Sequence, residues 1–142
     1  MQMHQILKDK GGDIVTVAPG SKVSEAARLL SEKRIGAVIV ADGDRPAGIL
    51  SERDIVRELG RRGTSCLDDP VEALMTRDPV ACTPQDRSDA VLERMTEGRF
   101  RHMPVIEDGR MVGLISIGDV VKARLAQLAM ERDALEGMVM GH

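Results

Sequence analysis

The chain carries one pattern twice. Gly48-Ile49-Leu50-Ser51-Glu52-Arg53-Asp54 returns 65 residues later as Gly113-Leu114-Ile115-Ser116-Ile117-Gly118-Asp119. With that constant shift the halves align without a gap from Val15 to Leu59. Val15/Val80, Pro19/Pro84, Glu32/Glu97, Arg34/Arg99, Val40/Val105, Arg45/Arg110 and Val56/Val121 are further identical pairs, and Leu30/Met95 and Ile35/Phe100 match in kind. Each copy reads β-α-β-β-α. A unit of that size is too small to bury its sheet face well, so the two are expected to pack together about a pseudo-two-fold axis. The expected fold class is α+β: two tandem β-α-β-β-α repeats with a long C-terminal helix.

The repeated stretch also has a chemistry. An apolar run ending in Ser-x-x-Asp reads as a strand running directly into a helix, with the serine at the N-cap. A helix start presents free N–H groups and the positive end of the dipole, which suits an anion such as phosphate. The aspartate sits in the first turn, where a carboxylate can accept from a pair of ligand hydroxyls. The same spacing resembles a capping box, although Glu or Gln is the usual partner. Either capping alone or ligand binding would account for one copy; two copies in register call for an explanation at the level of the repeat.

Local signals place the elements. Met1 to Lys10 reads as a short helix with Met3, Ile6 and Leu7 on one side, stopped by Gly11 and Gly12. Asp13 to Val17 reads as a strand, closed by Pro19-Gly20. A helix capped by Ser21 or Ser24 follows, with Val23, Ala26, Ala27 and Leu30 on its apolar face. Gly36 to Val40 and Ala47 to Leu50 are strands around the turn Asp42-Gly43-Asp44, and Ser51 opens a helix to about Leu59, ended by Gly60 and Gly63. Arg61 to Pro70 reads as a polar, flexible linker, and Val71 to Met75 as a short helix. The pattern then repeats: strand Val80 to Cys82, helix Asp86 to Glu97, strand His102 to Ile106, turn Glu107 to Gly109, strand Met111 to Ile115, and a helix from Ser116. Divided in sequence, residues 1–66 hold the first repeat with the N-terminal helix and 67–142 the second with the C-terminal one.

Composition removes several function classes. A net charge of -3 gives no electrostatic case for nucleic acid, which asks for a clustered basic face. One Phe and no Tyr or Trp leave no stacking platform for single strands. The nine Met and the many aliphatic residues must build the core, and any adenine pocket would be aliphatic. No apolar run approaches the ~18 residues of a membrane span and no signal-peptide pattern opens the chain, so a cytoplasmic location is expected. Cys66 and Cys82 have no metal-ligand or C-x-x-C spacing. Cys82 falls in an expected strand and Cys66 in a loop. His4, His102 and His142 are scattered, and neither a nucleophile elbow nor a Walker loop is present. No catalytic and no metal-ligating constellation is therefore assigned, and the chain is not expected to be an enzyme.

The doubled unit resembles a tandem pair of CBS domains, the regulatory module named after cystathionine β-synthase. The two Gly-to-Asp stretches carry the resemblance, supported by Leu74-Met75-Thr76 with Pro79-Val80, by Arg99-Phe100-Arg101-His102-Met103-Pro104-Val105, and by Thr83-Pro84. The resemblance covers nearly the whole chain. It implies clefts for adenosine-containing ligands: AMP, ADP, ATP or NAD(H). It implies that Asp54 and Asp119 accept from ribose hydroxyls and that Ser51 and Ser116 contact phosphate or ribose. Adenine would lie against Val17, Ile35 and Ala37 in the first half, and Cys82, Arg101 and Met103 in the second, positions that also serve as plain core. Charge-assisted hydrogen bonds suit both contacts.

The halves diverge where they matter for charge. Arg101 and His102 stand where the first half has Gly36 and Ala37, and Arg53 stands where the second has Gly118. Each is a candidate phosphate donor or a solvated side chain. The two sites are thus expected to differ. The final helix, expected to about Leu135, places Val121, Leu125, Leu128, Leu135 and Val139 at alternating four- and three-residue steps, interrupted by Arg132. That spacing suits packing on another helix, and the part past Leu128 extends beyond the repeat. The resemblance implies a homodimer and a regulatory module that senses energy or redox state, acting through its dimer or an unidentified target protein. The alternatives are a structural dimerisation module with no physiological ligand, and a redox responder through Cys66 and Cys82.

Overall fold

The computed structural model describes residues 1–11 and 14–139. Gly12 and Asp13, read in the sequence as part of a helix stop and a strand start, lie outside the described residues, as does His142. The elements in order are α1 (Met3–Lys10), β1 (Thr16–Val17), α2 (Val23–Lys33), β2 (Ala37–Asp42), β3 (Arg45–Ser51), α3 (Glu52–Arg62), β4 (Thr76–Arg77), α4 (Ser88–Gly98), β5 (His102–Glu107), β6 (Arg110–Ser116) and α5 (Ile117–Val139). The fold is mixed α+β with a long C-terminal helix.

Two compact units share these elements. One runs from Ile14 to Val80 with Gly109–Met111. Its sheet has the order β1-β2-β3-β4, with β1 parallel to β2 and the other neighbours antiparallel. Val38, Val40 and Leu50 turn one face of that sheet toward Val23, Ala26 and Leu30 of α2 and Ile55 of α3. Side chains alternate along a strand, so every second residue of β2 joins this core. Val71 and Met75 complete it.

The other unit joins α1 to Ala81–Asp108 and the chain from Val112 through α5. Its core gathers Met3 and Ile6 of α1 with Val91 and Met95 of α4, Met103, Val105 and Ile115 of the β5-β6 hairpin, and Val120 and Ala123 of α5. Helix α1, placed with the first repeat by sequence order, therefore packs with residues of the second. The Met3 N–H donates to the Asp86 carbonyl at 2.9 Å, as the Val71 N–H donates to the Ser21 carbonyl at 2.8 Å.

Several local expectations are corrected. Neither Ser21 nor Ser24 caps α2; Lys22 holds the N-cap position without a side-chain bond. Helix α4 begins at Ser88, with Arg87 at its N-cap, because Asp86 is occupied by the Thr83 N–H and by Arg94. The strand expected from Val80 to Cys82 reduces to one parallel bridge, Cys82 to Val105. Its ends are taken elsewhere: Arg94 Nη1 donates to the Ala81 carbonyl at 3.1 Å and the Thr83 N–H to Asp86 at 2.8 Å. The stretch after α3 is a folded connection. A 3-10 helix spans Gly63–Asp68, and Arg62 bonds Glu58 and Asp69 across it. Cys66, in the expected loop, is 0% exposed. Gly60 lies inside α3, which ends at Gly63 with φ 75°.

Candidate functional site

Gly48 and Gly113 open the repeated stretch for a steric reason. A Cβ on Gly48 would meet the Thr76 carbonyl oxygen at 2.6 Å and Met75 Sδ at 2.7 Å; one on Gly113 would collide with the Leu7 side chain. In both units a neighbouring segment passes directly over the glycine.

From there each strand runs into its helix. In the first unit the Asp54 N–H donates to Ser51 Oγ at 3.3 Å, and the Ser51 N–H and hydroxyl donate to Asp54 Oδ2 at 2.9 and 3.0 Å. Ser51 thus caps α3 and Asp54 closes a reciprocal box, with aspartate in place of the more usual glutamate. Arg57 lies 3.5 Å from Asp54 Oδ1, with its side chain largely in solvent. Ala37 stands opposite Ser51 in the β2-β3 register, and the Glu52 N–H donates to the Gly36 carbonyl at 2.9 Å. Residues 36–37 are thereby held against the start of α3.

The second unit repeats the junction with a different charge. The Asp119 N–H donates to Ser116 Oγ at 3.1 Å and the Ser116 N–H to Asp119 Oδ2 at 2.9 Å. The Ile117 N–H donates to the Arg101 carbonyl at 2.8 Å, the counterpart of the bond to Gly36. Lys10 then enters from α1: its ammonium donates to Asp119 Oδ2 at 2.7 Å and to the Leu114 carbonyl at 2.9 Å. Burial pushes the Asp119 carboxyl up, but the bonds from Lys10 and the Ser116 N–H outweigh it and hold the group below the usual carboxylate range. Among the described residues both bonds fall on Oδ2, which leaves Oδ1 able to accept from a ligand. A carboxylate has about four acceptor positions on its two oxygens, so capping and a diol contact are compatible on one aspartate.

The sequence-predicted residues divide by position. Ser51, Asp54, Ala37 and the exposed Arg53 gather at the α3 start; Ser116, Asp119, exposed Arg101 and half-buried His102 gather at the α5 start. Val17, Cys82 and Met103 are buried in the cores of their units, and Ile35 packs against the first. Lys10 is the participant that sequence reasoning missed. It lies 109 residues from Asp119 in the chain, and a helix-terminal lysine has no local signal that separates it from a solvated one. The cysteines offer little to an oxidant: both are buried, and burial, then the Asp86 charge, pushes the Cys82 thiol up to about 11. Reactivity belongs to the thiolate.

Two copies of a capped strand-to-helix junction, each with an acidic first turn, define a repeat-built α+β module. The family model for the CBS domain matches residues 9–61 and again 71–126, and the chain belongs to the CBS-domain family as a tandem pair. The mitochondrial CBS domain-containing protein CBSX3 of Arabidopsis thaliana is 32% identical over 148 residues, covering 98% of this chain and 72% of the relative. The CBS-domain containing protein ATU1752 of Agrobacterium tumefaciens superposes with a TM-score of 0.84 at 45% identity, over 87% of this chain and 99% of that one. The CBS domain protein PAE2072 of Pyrobaculum aerophilum, solved in complex with AMP, superposes with a TM-score of 0.79 at 26% identity, over 92% and 99%. Among the described residues no helix is long and apolar enough to cross a membrane.

Proposed function

We propose that the chain is a regulatory module that binds adenine nucleotides, AMP, ADP, ATP or NAD(H), with one site at each strand-to-helix junction. Asp54 and Asp119 accept from the ribose hydroxyls, and Ser51 and Ser116 with their helix starts receive phosphate or ribose. Arg53 serves the first site, and Arg101 with His102 the second. Ile35 lines the first adenine wall and Arg101 the second, while Val17, Ala37, Cys82 and Met103 are buried and support these walls from the core. The observation that carries this reading is the Asp119 carboxylate, ionised and pre-oriented by Ser116 yet with Oδ1 available. The AMP complex of the Pyrobaculum relative supports it. In this reading the nucleotide is a signal and not a substrate.

The output runs through self-association or a target protein. Helix α5 supports the first route. Val120 and Ala123 face its own core, whereas Leu128, Leu135 and Val139 are 48%, 62% and 85% exposed. A second copy of this helix would cover them, giving a homodimer.

Calorimetric titration with AMP, ATP, NAD and NADH tests the binding. Replacing both Asp54 and Asp119 by Ala is expected to weaken binding by about 1.5–3 kcal/mol per site, the scale of a charged hydrogen bond. Wild-type protein that binds none of the four at millimolar concentration would end the reading in favour of a purely structural module.

A further inference from the structure

The two junctions differ in one contact that the repeat does not supply. Asp119 is held by an ammonium from another element, at 2.7 Å. Among the described residues Asp54 has no such partner: its cation, Arg57, is on its own helix at 3.5 Å and 68% exposed. Beside the Lys10–Asp119 pair opens a cavity of about 350 Å3 between α1 and α5, lined by Ile6, Asp9, Lys10, Asp119, Lys122 and Ala126 among others. That volume lies at the lower end of small-molecule sites. Two ammoniums and two carboxylates face it.

We infer that Lys10 sets the ligand selectivity of the second site, favouring phosphorylated adenosine ligands over uncharged adenosine. The inference rests on the nucleotide reading above. A ribose diol that takes both oxygens of Asp119 must displace the Lys10 ammonium from Oδ2. If the ligand is neutral, Lys10 loses its partner and gains none. If the ligand carries phosphate, the four-carbon stem lets the ammonium move from the carboxylate to the phosphate, so each charge stays paired. The exchange is therefore balanced for a nucleotide and unfavourable for a nucleoside. Lys122 adds a second positive charge on the same cavity, while Asp9 opposes it.

The test uses the full chain with Asp54→Ala, so that titration heat reports the second site. AMP and adenosine are titrated into this protein and into the same protein carrying Lys10→Met, which keeps the stem and removes the charge. Helix α1 stays anchored through Met3 and Ile6, 0% and 5% exposed; should Lys10→Met fail to fold, Lys10→Gln replaces it. The expected result is AMP affinity about tenfold lower, the size of one charged contact, with adenosine affinity raised about threefold because Asp119 is released. Equal changes for both ligands, or unchanged AMP affinity, would overturn the inference while leaving the nucleotide reading standing. Absence of binding by either ligand to unmodified wild-type protein would remove both.

Discussion

Asp119 does two jobs in this account, and the choice of replacement separates them. Asp119→Ala removes the acceptor of the Ser116 N–H and the partner of Lys10. Loss of a helix-start acceptor costs about 0.5–2 kcal/mol. The ion pair adds little: the Lys10 side chain is 39% exposed, and such pairs contribute roughly 0–1 kcal/mol. The sum, about 0.5–3 kcal/mol, corresponds to a fall in melting temperature of roughly 1–12 °C for a chain of this size. Asp119→Asn retains an amide oxygen for the Ser116 N–H, so most of the stability should return. The negative charge does not, and AMP affinity should fall about tenfold or more in both variants. The folded-state carboxyl is held below its ordinary range, so its contribution is fully present above the unfolded value, near 4, and disappears as pH falls through the folded one. The stability gap between wild type and Asp119→Asn should therefore narrow below about pH 4. Thermal unfolding across pH and calorimetry with AMP measure both quantities. Asp119→Asn with wild-type AMP affinity at the second site would refute the ligand role and leave capping alone.

The remaining predictions concern packing and assembly. Gly48→Ala drives a methyl into the Thr76 carbonyl, which cannot rotate away, and should cost about 1–3 kcal/mol. For Gly113→Ala the nearest atoms belong to the flexible Leu7 side chain, and the cost should be lower; the reverse order in thermal denaturation would contradict the steric account. Truncation after Ala126 removes Leu128, Leu135 and Val139, whose burial against a partner would contribute roughly 1.5–3 kcal/mol per side chain. It should shift the protein toward monomer in analytical ultracentrifugation with both repeats intact. A truncated chain that stays dimeric at low micromolar concentration would place the contact on other helices.

What the sequence determined by itself is what depends on neighbours in the chain. The 65-residue register, the hairpins around Asp42-Gly43-Asp44 and Glu107-Asp108-Gly109, the helices with apolar residues every three or four positions, and the two Ser-x-x-Asp junctions all rest on local spacing and turn chemistry. Those signals were enough to give the fold class and to put Ser51, Asp54, Ser116 and Asp119 at helix starts. Tertiary structure decided what depends on a partner far along the chain. Strand β4 is two residues long and carries no periodicity; it exists because β3 offers an edge, pairing Gly48 with Arg77 and Ile49 with Thr76. Cys66 is buried because the turns after α3 fold back, with Arg62 bonded to Glu58 and Asp69. The expected strand from Val80 to Cys82 shortened to one bridge at Cys82, because the flanking Ala81 carbonyl and Thr83 N–H bond Arg94 and Asp86 instead. Helix α1 joined the core of residues that follow it by more than seventy positions, and only there does Lys10 meet Asp119. Local periodicity records which side of an element is apolar, but the element that side meets is chosen by packing, and so is the charge that lands on a binding carboxylate.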